Sequence, residues 1–281
     1  MRSVEKTKVR VQPVLKLYLD LSGTNHLHFG LWEPNDPLDK AHFQKAQDRY
    51  LEKLIELIPK GVATILDVGC GVGGTACYLK DKGYQVTSMS PDPYQAQLFA
   101  ENTKGEIPFH LTPFEKFESD EKYDLILFSE SAQYMEAADI FKGASKFCKE
   151  GGYVLISDYF KKVGSEKIPN IPSYPINFIP EQAKKNSFSL IENIDITEAT
   201  TPTLDYGSDV YFSYIKPILS CIVLTMKVHL KPLYYLFRGF LKIPVKGKSI
   251  RQTIINNLVP MEREVYLKHM EYRRFLFTKN K

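Results

Sequence analysis

The sequence predicts an α/β protein with a doubly wound, mainly parallel sheet, and three observations carry that prediction. Apolar runs of strand length recur at residues 65–68, 83–91, 108–111, 123–128 and 154–157, with helix-length segments between them. Such alternation builds parallel sheets. The first run leads at once into a glycine-rich turn, Gly69-Cys70-Gly71-Val72-Gly73-Gly74. Polar residues cluster directly after the predicted strands, where open α/β sheets place their ligands.

The glycine turn is the most specific of these features. Gly69, Gly71 and Gly74 fit G-x-G-x-x-G, and Gly73 adds a fourth glycine. Glycines let the backbone turn sharply and let a ligand approach it closely. The spacing alone also fits a dinucleotide site. Asp67, at the end of the first strand, separates the two ligands. A pyrophosphate on helix N–H groups favours positive potential, and a carboxylate within one turn repels it. The same carboxylate suits a ligand carrying an ammonium or a sulfonium. The run D-x-G-x-G-x-G after a buried strand resembles the first motif of class I S-adenosylmethionine (SAM)-dependent methyltransferases. The resemblance implies SAM as cofactor and S-adenosylhomocysteine as product. The glycines would bracket the methionine half, Cys70 and Gly73 included, and Asp67 would support the amino group. A seven-stranded Rossmann-like sheet is implied too, with an antiparallel last strand within residues 271–279 inserted beside its penultimate partner.

Under that resemblance, later strands supply the rest of the cofactor site. The second strand usually ends in an acid that grips both ribose hydroxyls. Counted back from Ser90-Pro91, that position is Ser88, with Met89 beside it. A serine holds only part of the ribose edge, and Asp92 is placed to help from the next helix. The missing acid also disfavours NAD, which wants the same group. After the third strand, Phe114 is placed to stack on adenine and Glu115 to accept from its amino group. A packed aromatic beside a solvated acid is the competing reading. The fourth strand resembles the "YDLI" strand of these enzymes. It opens into Ser129-Glu130-Ser131-Ala132-Gln133-Tyr134-Met135, where they face the transferred methyl. Gly151-Gly152 and the fifth strand resemble their "PGG" turn and strand, ending at Asp158 and Tyr159.

The N-terminal stretch adds a second pattern. Tyr18-Leu-Asp-Leu-Ser22-Gly23 is followed by His26-Leu-His28-Phe-Gly30 and then Trp32. This Y-x-x-x-S-G and H-x-H-x-G arrangement resembles the tocopherol methyltransferases and their plant N-methyltransferase relatives, which also lack an acid at the second strand. The resemblance implies a lid closing over cofactor and acceptor, with Tyr18 on the cofactor. His26 and His28 share a face on an extended segment. Histidine has a pKa suited to taking a proton from a phenol, acid or amine, so these two are the expected base or orienter. Trp32, Glu130, Gln133, Tyr134, Asp158 and Tyr159 are the expected acceptor-side residues, Trp32 with packing of the lid as its competing role.

Composition bounds the rest. The 281 residues leave room for one α/β domain and an insertion. The expected division is a core of residues 1–200 and 265–281 around a helical cap of 201–264 over the acceptor site, interrupted at Pro217, Pro232 and Pro244. Residues 201–281 hold 14 Lys+Arg against 5 Asp+Glu, so the preceding 200 hold the remaining 23 against 28. The basic part is also rich in aliphatic and aromatic residues. That combination fits a lipophilic small-molecule acceptor. The segment reads first as a cap whose apolar face packs on the sheet with its lysines in water, and a peripheral contact with anionic lipid is the alternative. It fits nucleic acid poorly, and no N-P-P-Y-type tetrad follows the fourth strand. The four cysteines lack metal-site spacing and read as reduced, with no metal expected. The basic residues 1–10 precede no apolar signal core, and the uncharged stretch 217–226 is shorter than the roughly 20 residues that span a bilayer. A cytoplasmic location is therefore expected. A non-catalytic SAM-binding or membrane-surface protein with the same fold is the alternative.

Overall fold

The central strands are buried on both faces, as a parallel sheet covered by helices requires. In a computed structural model describing residues 11–165, 173–242, 244–245, 248–249 and 261–280, β1 (Thr64–Val68) buries residues 65–68 and β4 (Tyr123–Ser129) buries residues 125–128. β2 (Gln85–Ser90), β3 (Phe109–Leu111), β5 (Cys148–Lys161), β6 (Phe188–Asp195) and β7 (Met270–Lys279) complete seven strands, in the order β3-β2-β1-β4-β5-β7-β6. β1 to β5 pair in parallel, and β7 runs antiparallel to both β5 and β6. This is the Rossmann-like arrangement expected from the glycine turn. β5 is longer than the apolar run 154–157 because its C-terminal half continues along β7 as far as Lys161 and Met270.

Alternate residues of each central strand supply two cores. Leu66, Val68, Ile126, Phe128, Val154 and Ile156 pack against α5 (Ala137–Phe147) through Ile140, Phe141, Ala144 and Phe147. Ile65, Leu125, Leu127 and Leu155 face the other way. They meet Tyr50, Leu51 and Leu54 of α2 (Lys40–Ile55), Ala76 and Leu79 of α3 (Gly74–Asp81) and Phe99 of α4 (Pro93–Asn102). Asp39 caps α2 by accepting the His42 N–H at 2.8 Å, and Asp92 caps α4 by accepting those of Tyr94 and Gln95 at 2.8 and 2.9 Å. Each cap occupies helix-terminal donors that have no partner within the helix. Two further helices, α1 (Pro13–Ser22) and α6 (Phe178–Lys185), and the short α7 (Thr197–Thr200) complete this part.

The chain divides into two compact units, Met1–Thr200 with His269–Lys281, and Thr201–Lys268. Within the second, α8 (Pro202–Val210) passes through a π-helical turn (Tyr211–Ile215) into α9 (Lys216–His229), and α10 (Lys231–Phe240) follows. Pro217 does not interrupt this run, contrary to expectation. From Pro202 to His229 the chain is continuously helical, with the wider turn placed just before the proline, where the missing N–H would otherwise break the ladder. Pro232 does open a new helix. Pro244 lies in a two-residue strand, Pro244–Val245. A further helix, α11 (Arg263–His269), precedes β7. By length and composition Thr197–His229 is apolar enough to cross a membrane, which its uncharged stretch alone is too short to suggest.

Two glycines fix where the chain can pass the turn after β1. Gly69 has φ +76°, and a Cβ there would lie 2.3 Å from the Cβ of Ser131. A Cβ on Gly74 would lie 2.4 Å from the Asn25 carbonyl oxygen. The N-terminal segment therefore rests directly on the start of α3. Gly74→Ala is expected to lower stability by about 1–3 kcal/mol, as overpacking does, measured by urea unfolding. It should also speed proteolysis near residues 23–30. Gly207→Ala in α8, where the added methyl group would meet no atom within 4 Å and φ is not positive, should leave that rate unchanged.

Candidate active site

A cavity of about 640 Å³ opens at the C-terminal ends of β1, β2, β4 and β5. That is where the strand order reverses, between β1 and β4. Thirteen of the expected site residues line it: His28, Asp67, Gly69, Cys70, Gly71, Met89, Phe114, Glu115, Ser129, Glu130, Gln133, Tyr134 and Tyr159. The turn after β1 is held by its own backbone, with the N–H groups of Gly69 and Cys70 donating to the Met89 carbonyl at 2.9 and 3.1 Å. Ser131 braces it from the end of β4, its hydroxyl donating to the Val68 carbonyl at 2.5 Å.

Six expected residues do not line the cavity, each for a local reason. Ser88 sits one residue pair inside the sheet, paired in register with Asp67 and fully buried. The strand runs on to Ser90, so Ser90 and Asp92 line the cavity instead. Asp92 also caps α4 and accepts from Gln12. Gly73, at φ +97°, turns toward Phe99 and Thr103. Tyr18 donates to the His26 carbonyl at 2.9 Å and so holds the N-terminal segment rather than a ligand. His26 turns its Nε2 toward Asp48, 3.7 Å away. Trp32 packs face to face on Phe43 and is 5% exposed. Asp158 lies behind the wall, accepting the N–H groups of Tyr159 and Gln133 at 2.8 and 3.1 Å. Phe114 reaches the cavity only in part, since it also packs edge-on to Phe128.

Other residues prove central although no motif marks them. Gln47 is fully buried on the apolar face of α2. Its amide donates to Tyr18 Oη and to the carbonyls of His26 and His28, at 2.9, 3.2 and 2.7 Å, and its Oε1 accepts from Thr24. A glutamine interrupting an otherwise apolar helix face is the available signal. Tyr50, on the same face, hydrogen-bonds Ser157 Oγ at 2.7 Å and Tyr272 Oη at 2.9 Å. Tyr272 in turn donates to Glu130 Oε1 at 2.8 Å, and the Phe29 N–H donates to the same oxygen at 2.6 Å.

Burial sets the electrostatics. Asp67 is pushed up to about 7 by desolvation, and its Oδ2 is buried without a hydrogen-bond partner. Glu130 is pushed up to about 8, mainly by desolvation, despite its two donors. Asp158 rises to about 7 for the same main reason. Among the described residues no Lys or Arg lines the cavity. Such a site selects a cation and repels phosphate. The ammonium and sulfonium of SAM fit it, with Asp67 as the natural partner of the amino group. His28 behaves differently from the expected base. Its ring stacks on Tyr50 at 4.2 Å, its Nδ1 lies 2.8 Å from the Phe29 carbonyl, and burial first of all lowers its pKa to about 3. It is a neutral imidazole at physiological pH, with the Nδ1 proton donated to Phe29 and the buried Nε2 lone pair unpartnered.

Residues 66–156 match the family described as "Methyltransferase domain". Residues 66–156 are thus a methyltransferase domain, and the glycine turn and the sheet order resemble those of class I SAM-dependent methyltransferases. Tocopherol O-methyltransferase of Arabidopsis thaliana is 26% identical over 150 residues, 47% of this chain and 43% of that protein. The 2-methyl-6-phytyl-1,4-hydroquinone methyltransferase of Synechocystis sp. is 24% identical over 239 residues, 78% of this chain and 72% of its own length. The chain thus spans less than half of the plant relative. Among solved structures, a geranyl diphosphate C-methyltransferase from Streptomyces coelicolor, in complex with S-adenosyl-L-homocysteine, superposes with a TM-score of 0.64 at 16% identity, over 96% of this chain and 94% of that one. The [4+2]-cyclase SpnF does so at 0.68 and 17% identity, over 95% and 92%.

The raised carboxylates of this methyltransferase domain make its pH behaviour specific. Their folded pKa values lie above the unfolded ones, so the stability they allow is complete below about pH 4 and is lost as pH rises through about 7 to 8. A cationic ligand needs Asp67 ionised, so its binding should release protons. Affinity for S-adenosylhomocysteine, by calorimetry, is expected to rise between about pH 6 and pH 8. Asp67→Asn should weaken it by about 10- to 100-fold, the worth of a charged hydrogen bond, and flatten that pH dependence.

Proposed function

We propose that the protein transfers a methyl group from SAM to oxygen, nitrogen or an activated carbon of a small lipophilic molecule. The observation that carries this reading is a cation-selecting cavity whose remaining wall is largely apolar. Leu27, Met89, Tyr134, Met135 and Tyr159 line it beside Glu130. The relatives' names point the same way, since those proteins are named for tocopherol and for a phytyl hydroquinone.

When bound, SAM supplies a methyl group on a positively charged sulfur. The chain's own residues then have three tasks. Asp67 and the glycine turn hold the amino-acid end. The N-terminal segment, fastened by Gln47, excludes water, which strengthens every charge interaction inside. Glu130 takes the proton that the acceptor gives up. Its pKa of about 8 matches ambient pH, as a general base requires. His28, at about 3, is too weak a base for that task and serves as a neutral wall and hydrogen-bond acceptor.

Labelled-methyl transfer from SAM into a fractionated lipid extract, with mass spectrometry of the product, tests the reading. A single labelled apolar product is expected, and label confined to polar metabolites or nucleic acid would refute it. With the acceptor in hand, Glu130→Gln should lower kcat by about 10²- to 10⁴-fold. Its affinity for S-adenosylhomocysteine should stay close to that of the parent. His28→Gln should reduce kcat much less than Glu130→Gln.

A further inference from the structure

The insertion exposes many apolar side chains that the site does not use. α9 and α10 contact each other as consecutive helices, yet none of their residues is buried. Ile218, Ile222 and Leu224 of α9 are 59, 51 and 60% exposed, and Leu236 of α10 is 71% exposed. Apolar surface of this extent on a helical pair marks an interaction site.

Charge says what kind of site. Between Asp209 and Glu262 the sequence contains eight Lys+Arg and no Asp or Glu. On α9, Lys216 and Lys227 stand eleven residues apart, which returns them to one side of the helix at about 100° per residue. Ile218 and Ile222 lie on the opposite side. On α10, Leu233, Leu236, Phe237 and Phe240 follow the i, i+3, i+4, i+7 spacing of an apolar stripe. Lys231 and Arg238 fall on the other side of that helix. A basic side opposite the apolar stripe of α10, and lysines at both ends of the apolar run 217–226 of α9, with no acid between, are complementary to an anionic lipid surface.

Topology separates lying on a membrane from crossing one. The insertion leaves the sheet after β6 and returns to it at β7, and these two strands pair with each other. A crossing helix would need a second one to bring the chain back. Among the described residues only Thr197–His229 is long and apolar enough. α10, at ten residues, is about 15 Å long against a hydrocarbon core of about 30 Å.

We propose that α9 and α10 dock on the surface of an anionic membrane, with their apolar side chains at the headgroup–acyl boundary and Lys216, Lys227, Lys231 and Arg238 toward the phosphates. Such docking depends on neither the cofactor nor the acceptor.

Flotation of the full chain with lipid vesicles tests it. Binding to phosphatidylcholine vesicles containing about one-third phosphatidylglycerol is expected to exceed binding to pure phosphatidylcholine by about tenfold or more, and to weaken with salt. Ile222→Glu with Leu236→Glu, and separately Lys216→Glu with Lys231→Glu and Arg238→Glu, should each remove most of that binding. Both sets lie outside the buried core, so the thermal midpoint and S-adenosylhomocysteine affinity should not change. No binding to anionic vesicles, equal binding to neutral ones, or full binding by either variant would overturn the proposal. So would a dimer in sedimentation velocity that dissociates on the same substitutions, since the face would then be covered by a second copy of the chain.

Discussion

One carboxylate oxygen ties the site together. Glu130 Oε1 accepts from the Phe29 N–H and from Tyr272 Oη, joining segments 101 and 142 residues apart in sequence. The residue stands at φ +52°, outside the usual range for a non-glycine residue, just past the end of β4. It holds that conformation with its carboxyl group buried, which requires the surroundings to fix it. The N-terminal segment, the fourth strand and the seventh strand therefore meet at one atom. The same burial that makes Glu130 a structural hub also lifts its pKa.

The N-terminal segment and the glycine turn depend on each other in the same way. Gly71 and Gly74 would clash with Leu27 and Asn25 if they carried a Cβ. Part of the glycine requirement thus comes from protein packing and part from a ligand's approach. Gln47 then secures the segment through four hydrogen bonds drawn from one buried amide. An amide buried at a core position is tolerated only when so satisfied.

The sheet is legible in the sequence because buried parallel strands announce themselves as apolar runs, and the turn because Asp67 and its glycines have few other uses. Strand ends are less legible. Ser88 lies one pair too deep to line the cavity, since alternation along a fully buried strand does not mark where the strand stops. Tyr18, His26 and Trp32 make contacts that fasten the N-terminal segment. Residue type alone does not distinguish a tyrosine holding a carbonyl from one touching a ligand. His28 shows the same limit in its chemistry. The intrinsic pKa of histidine suggests a base, and burial against Tyr50 removes that property. Tyr272 and Arg274 carry no local signal because their partners, Glu130, Tyr50 and Ser157, lie more than a hundred residues earlier in the chain.

The place of β7 has a consequence for how the protein comes into being on the ribosome. This strand is translated after the whole insertion, yet it sits between β5 and β6 and contributes Tyr272 to the hub. Until it arrives, β5 and β6 have no partner on their facing edges, and an unpaired edge invites pairing with another chain. Nascent molecules therefore carry an open edge for as long as residues 196–269 take to be made. The hub around Glu130 is therefore completed late, with β7.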